Sequence, residues 1–333
     1  MDIQKLILSP EYDFLRKLDR PLLFLTLGGS RAYGTSIPGS DIDLRGCAMQ
    51  KPAELLGLKT FEAFADRNTD TTIYGSNYFI SKLSNCVPNV IEMLGNKEDQ
   101  YLFLDPCAQM LLQNKAVFLS QKAGYSFGGY ANSQLRQLRT FLSTKDPTQQ
   151  EKETQLFRTA THMMEGIQYR YPNIPNGTVT LYLEKSENPD REIEVYADIE
   201  AKHVPLRTFN GICNELGNVC GTYEKIGKRN TKKDEKHLNK HIMHLCRYYL
   251  MCFDILEKEQ IVTYREADRD FLLEVRNGKF LRNGALTEEF EELLVQYEKR
   301  LAYDRKNTSL PELPDYDKIE ELMMEINKKA VNN

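Results

Sequence analysis

Two aspartates, Asp41 and Asp43, follow closely on the run Gly28-Gly29-Ser30-Arg31, and together these residues are the part of the chain best suited to chemistry. On an extended strand alternate residues share a face, so Asp41 and Asp43 would project to one side while Ile42 and Leu44 turn toward a core. Two like charges held that close need a cation. Oxygen ligands with no supporting His or Cys favour a hard divalent ion, Mg2+ or Mn2+, which commonly binds through one or two carboxylates plus substrate phosphates. A Gly-Gly-Ser turn lets backbone N–H groups approach a polyphosphate, and a following helix start adds its partial positive charge. Strand, phosphate turn and paired carboxylates describe a site for metal-dependent nucleotidyl transfer. An ordinary hairpin with turn-capping aspartates accounts for the glycines and the aspartates separately, but not for their order.

The elements that would position these residues follow from periodicity. The apolar run 22–27 reads as a buried strand, 41–48 as a second, and residues from Ile73 as another extended segment. Residues 1–20 read as an amphipathic helix, and 79–83 and 90–94 have helical spacing broken at Pro88, giving cover for one face of a mixed sheet. From about residue 115 the pattern turns mainly helical, over 134–142, 152–168, 236–256, 267–276 and 288–301. The alternating stretches 178–183 and 192–196 flank Glu187-Asn188-Pro189-Asp190 and read as a β-hairpin. The expected class is α+β: an N-terminal mixed sheet with flanking helices over 1–115, then a mainly helical region over 116–333 carrying the hairpin near 178–196. No internal repeat or low-complexity tract is evident.

Composition narrows the function classes. With 333 residues and 41% hydrophobic content the chain can bury a sizeable core. A net charge of -4 gives no global pull toward nucleic acid or membrane, so a polyanion must be held by a local patch. Seven cysteines, an odd number without paired metal-ligand spacing, suggest reduced thiols. No stretch is apolar enough to span a bilayer and Met1-Asp2-Ile3-Gln4-Lys5 lacks a signal-peptide pattern, so the expectation is a cytoplasmic protein without a membrane partner. Oligomeric state is open, although the hairpin offers edge strands that could pair with another chain.

The order of apolar strand, Gly-Ser and Asp-x-Asp resembles the DNA polymerase beta-like nucleotidyltransferase superfamily. More narrowly, Gly29-Ser30-Arg31-Ala32-Tyr33-Gly34-Thr35 with Ser40-Asp41-Ile42-Asp43-Leu44-Arg45-Gly46 resembles the RNA repair pathway DNA polymerase beta family. Later blocks carry the likeness on: Pro88-Asn89-Val90-Ile91-Glu92-Met93-Leu94, Gly129-Tyr130-Ala131-Asn132-Ser133-Gln134, residues 236–247, Val275-Arg276-Asn277-Gly278 and Leu310-Pro311-Glu312. The resemblance implies that 1–115 is the catalytic core and that the helical region completes a nucleotide cleft. It also implies a third carboxylate on a later strand, for which Asp70 is the candidate; Asp66 lies nearby, and either could instead be a turn or strand-start residue. In a two-ion arrangement, with the ions about 3.5–4 Å apart, that carboxylate would help deprotonate the attacking hydroxyl.

Within this likeness Gly29 and Ser30 clamp phosphates. Arg31 either touches the triphosphate or pairs with a structural carboxylate, and Tyr33 either stacks on a base or packs beneath the turn. Lys225, Lys228, Arg229, Lys232 and Lys233 lead into a helix on which Lys236, Lys240, His244 and Arg247 recur at three- or four-residue steps. That stripe would hold the triphosphate; the bland alternative is a solvated helix face. His237 and His241 share a face but lack a carboxylate companion, which argues against zinc. Glu92 suits either a cleft edge or a buried ion pair, and Tyr125 to Tyr130 either a nucleobase or a core. The acceptor implied is a nucleic-acid 3' end, with unprimed oligonucleotide synthesis as in antiphage signalling, AMP transfer to a partner protein, or a catalytically silent nucleotide-binding module as alternatives.

Overall fold

The apolar run Leu22–Leu27 forms the strand β1, and Leu23, Phe24, Leu25 and Thr26 are all essentially inaccessible, as expected of a strand covered on both faces. The computed structural model describes residues 9–142, 148–165, 171, 178–200, 202–223 and 235–332. Four more strands complete a mixed sheet: β2 (Leu44–Ala48), β3 (Ala63–Asp66), β4 (Thr71–Gly75) and β5 (Tyr101–Leu104), in the order β3-β4-β2-β1-β5. β1 runs antiparallel to β2 and β5, β4 antiparallel to β3, and β2 parallel to β4 with Leu44 opposite Thr71.

Strand alternation sorts the side chains. Leu25, Leu44, Ala48 and Ile73 form one buried cluster with Tyr12 and Leu15, and Ile42 packs against it, so Ile42 and Leu44 do turn inward. The opposite face of β1 meets the Ser76–Leu83 helix, where Phe24 lies edge-on to Phe79 at 5.4 Å. Two sequence expectations need correction. The strand expected over 41–48 begins only at Leu44, because Asp41, Ile42 and Asp43 form the approach to it. The helix expected over 1–20 is, in its described part, a single 3-10 turn, Pro10–Tyr12, followed by Asp13–Arg16; Pro21 disfavours helical backbone just before it. The glycine-containing stretch from Tyr125 to Tyr130 lies inside a long helix, Lys122–Leu142.

Where the sequence suggests a division at 115/116, the compact units interleave. One comprises Met1–Tyr130, Cys246–Glu274 and Tyr303–Asn333; the other comprises Ala131–Leu245 and Val275–Ala302. The second contains the expected hairpin, Val179–Lys185 paired with Ile193–Ile199. Its Leu181 packs with Leu156, Ala160 and Met163 of the Gln149–Glu165 helix and with Val219 of the Leu206–Tyr223 helix. The helices Leu206–Tyr223 and Tyr316–Asn332 were not anticipated from periodicity.

One polar contact anchors the outer part of the sheet domain. Arg20 grips Glu54 through two bonds, Nη1 to Oε2 at 2.9 Å and Nη2 to Oε1 at 3.1 Å, and the Lys51 backbone N–H donates to Oε2 at 2.9 Å. Partial burial opposes ionisation of Glu54, but the bonds from Arg20 and Lys51 outweigh it and hold its pKa below the ordinary value. A folded-state pKa below the unfolded one contributes stability that is complete above the unfolded value, about 4.3 for Glu, and is lost as pH falls through the folded value. Glu54→Gln is therefore expected to lower the denaturation midpoint at neutral pH and to reduce the loss of stability on acidification below about pH 4.3. Urea titrations of both proteins across that interval check it; an unchanged acid limb would refute the assignment.

Candidate active site

β1 ends at Leu27, and the chain turns through Gly28 into a five-residue helix, Gly29–Tyr33. Gly29 has φ +55°, a left-handed conformation that suits glycine, and a Cβ built on it would lie 1.6 Å from Asp43 Oδ2. The Asp43 carboxylate is thus seated directly against the first residue of the helix. The Gly28 N–H donates to the Asp43 carbonyl at 2.8 Å, fixing the backbone at the same point. The partial positive charge of a helix start favours a carboxylate there.

Asp41 is held differently. Arg31 donates from Nε to the Asp41 carbonyl at 3.2 Å and from Nη2 to the Ser40 carbonyl at 3.1 Å. Arg31 therefore sets the backbone carrying the exposed Asp41 side chain, through carbonyls rather than through the structural carboxylate weighed from the sequence. Ser30 is buried, and its carbonyl accepts from the Thr35 N–H at 2.9 Å.

Asp70 stands just before β4, and the parallel register of Leu44 with Thr71 brings it beside Asp43 along the sheet. It lies in the β3–β4 turn with φ 44°, and Arg45 donates to its Oδ1 at 3.1 Å and also to its carbonyl. Asp66 ends β3 and braces the following turn: its Oδ2 accepts from the Thr69 N–H at 2.9 Å and the Thr69 hydroxyl at 2.8 Å, and these bonds lower its pKa. Among the described residues no three His, Cys, Asp or Glu side chains gather as a metal-binding group, and Asp70 is Arg45's partner rather than a converged third ligand. The pair Asp41 and Asp43 nonetheless fits a hard divalent ion, being an all-oxygen donor set beside a glycine cradle that any Cβ would fill.

The basic stripe divides. Lys236 and Lys240 are exposed and His244 is half-buried on the part of the Glu235–Lys258 helix that belongs to the second unit. Arg247 belongs to the first unit and is 1% exposed. It donates from Nη1 to Glu92 Oε2 at 2.8 Å, and its guanidinium carbon lies 3.6 Å from the Tyr33 ring centre and 4.7 Å from that of Tyr248. Arg247 is thus sealed from a triphosphate, a correction to the reading of one continuous stripe. The cause is that the helix is buried almost all round from Ile242 onward, with Met243, Leu245, Cys246 and Met251 at 0–1% exposure, so a stripe that starts in solvent ends in a core. His241 Nδ1 lies 3.0 Å from Gln134 Oε1 and its ring rests on Phe141, a structural setting rather than a zinc site. Lys225, Lys228, Arg229, Lys232 and Lys233 fall outside the described residues.

Sequence reasoning missed the residues that brace the short helix. Gln100 Nε2 donates to the carbonyls of Arg31 and Ala32 at 3.1 and 3.3 Å, the Arg265 N–H to that of Tyr33 at 3.0 Å, and Arg269 Nε to that of Gly34 at 2.9 Å. Asn96 Nδ2 ties the end of β1, donating to Thr26 Oγ1 at 2.7 Å and to the Leu27 carbonyl at 2.8 Å. Gly34, with φ +76°, lies so close to Tyr264 that a Cβ would meet its ring at 2.8 Å. Only Arg45 carried a usable signal, since it follows Asp43 by two residues and so shares its face.

A short helix led by glycine, a carboxylate seated against it and a second two residues earlier, at the ends of the central strands of a mixed sheet, fit a nucleotidyltransferase-like core. The family comparison agrees: the RNA repair pathway DNA polymerase beta family matches over residues 12–325, and the chain belongs to it. Membership supports a nucleotidyltransferase-like function. No curated protein and no solved structure matches significantly. Among the described residues no helix is long and apolar enough to cross a membrane.

The geometry at Gly29 makes a direct prediction. Gly29→Ala forces a side chain into the left-handed region and against the Asp43 carboxylate, and backbone strain of this kind costs about 1–3 kcal/mol. The variant is expected to lose stability in that range in chemical denaturation and to bind nucleoside triphosphate more weakly than wild type in calorimetry. Wild-type values in both measurements would show that Asp43 does not depend on this contact.

Proposed function

We propose that the protein is a metal-dependent nucleotidyltransferase that transfers NMP from a nucleoside triphosphate to a nucleic-acid 3' hydroxyl, that of an RNA end, releasing pyrophosphate. The observation that carries the reading is the Asp43 carboxylate seated against Gly29 at the start of the Gly29–Tyr33 helix, with Asp41 two residues before it. Asp41 and Asp43 would hold Mg2+ or Mn2+, which when bound supplies charge neutralisation at the phosphates. The N–H groups opening the helix at Gly29 and Ser30 lack intrahelical acceptors by the geometry of any helix and suit phosphate oxygens. The acceptor oxygen attacks the α-phosphorus, the bond to the bridging oxygen of pyrophosphate breaks, and the hydroxyl proton passes to Asp70, whose carboxylate Arg45 orients. Catalysis on this scheme comes mostly from positioning and charge. The family's assignment to RNA repair supports the choice of acceptor.

The test is incubation with each α-labelled ribo- and deoxynucleoside triphosphate plus Mg2+ or Mn2+, with and without a short RNA, resolving products by size. Label is expected on the RNA only when RNA is present. Unprimed oligomers, or label on protein, would replace the acceptor while leaving the site intact. An Asp41→Ala/Asp43→Ala variant that folds and still transfers label would remove the site itself. Asp70→Asn is expected to keep triphosphate binding while transfer falls by about 10²-fold or more, the usual contribution of a positioned base; undiminished transfer would remove Asp70 from the mechanism.

A further inference from the structure

Beneath the Gly29–Tyr33 helix lies a buried polar cluster that the proposed chemistry does not use. Tyr33 donates its hydroxyl to Glu92 Oε1 at 2.8 Å, and Arg247 donates to the other carboxylate oxygen at 2.8 Å while its guanidinium covers the Tyr33 ring. Tyr33 is 5% exposed, Glu92 6% and Arg247 1%. The cluster also draws in neighbouring elements: the Thr263 hydroxyl donates to the Glu92 carbonyl at 2.5 Å, and Tyr248 donates to Asn89 Oδ1 at 3.0 Å. Burial foremost, with Glu92 adding to it, keeps the Tyr33 phenol well above its usual pKa despite the opposing Arg247, so its hydroxyl stays a donor.

A buried ion pair is a poor device for stability alone, since well-packed apolar residues often do as well or better. Here the arrangement is also incompletely satisfied, because the buried Arg247 Nε finds no acceptor among the described residues. What the pair supplies is direction: one carboxylate fixes a hydroxyl and a guanidinium at defined points, and the guanidinium fixes the plane of the ring.

We infer that Glu92 and Arg247 are positioning residues for the candidate site, acting through the hydroxyl and ring of Tyr33 to set the Gly29–Tyr33 helix against Asp43. This rests on the functional reading above only for what the helix is positioned to bind. None of the three residues has to touch the substrate.

The experiment compares wild type with Tyr33→Phe and with the triple variant Tyr33→Phe/Glu92→Met/Arg247→Met, which replaces the whole cluster by apolar groups. Hydrogen exchange is followed in the peptide spanning 28–35 and in the Tyr316–Asn332 helix, alongside thermal midpoints and the affinity for a non-hydrolysable nucleoside triphosphate with Mn2+. The expected result is exchange at least tenfold faster in 28–35, unchanged exchange in the Tyr316–Asn332 helix, and triphosphate affinity at least tenfold weaker in the triple variant even where its midpoint matches wild type. Wild-type exchange in 28–35, or faster exchange with undiminished triphosphate affinity, overturns the inference and leaves the cluster structural. If the triple variant does not fold, Tyr33→Phe decides by the same exchange and affinity measurements. A wild type that binds no triphosphate would count against the proposed function, while the exchange data still decide whether the cluster positions the helix.

Discussion

A helix of five residues cannot hold itself together, and the candidate site depends on this one. Fixing the first turn costs more backbone entropy than its few internal bonds return, so isolated helices far longer than this are marginal in water. Gly29–Tyr33 persists because its free ends are taken up from outside. At its C-terminus the carbonyls of Arg31, Ala32, Tyr33 and Gly34 each accept from Gln100, Arg265 or Arg269, and at its start Gly28 is bonded to Asp43. The sheet supplies one end and the segments around Gln100 and Arg265 supply the other.

The Arg265 segment is itself fixed by buried charge. Arg265, 4% exposed, pairs with the buried Asp254 and with Asp268. Each of these arrangements carries a desolvation penalty that a purely apolar core would avoid. They share a geometric property that apolar packing lacks, since a bidentate or stacked guanidinium accepts its partners from few directions. A turn that must present backbone N–H groups and a carboxylate in fixed relation gains from that restriction more than from an added methylene.

How much of this was legible in the sequence follows from the range of the interactions. Gly28-Gly29-Ser30 and Asp41-Ile42-Asp43 could be read because their roles are local: a turn conformation, an alternation, a spacing. The inward turn of Ile42 and Leu44 followed from alternation alone, as did the apolar strand Leu22–Leu27. Arg247 could not be read, because its spacing from Lys240 is the same whether the helix continues in solvent or enters a core; the apolar residues on its other faces decided the matter. Arg31 was readable as a cation near the turn but not as a ligand of carbonyls nine and ten residues away. Gln100 and Arg269 offered no pattern, since a residue that bonds a distant backbone carbonyl leaves no periodic trace.

The two aspartates consequently differ in a way their identical side chains conceal. Asp43 is set by the backbone bond to Gly28, by contact with Gly29 and by the strand that begins at the next residue. Asp41 is exposed and precedes the strand, its carbonyl bonded by Arg31. A carboxylate so placed can adjust while its partner stays fixed, a division that would suit the proposed divalent ion. Asp70, bonded to Arg45 on the neighbouring strand, adds a third degree of constraint: it stands near Asp43 by strand register but is oriented by a cation of the same face. The electrostatic order of the site therefore runs outward from Asp43, which the fold fixes most firmly, to Asp70 and Asp41, which side chains hold in place.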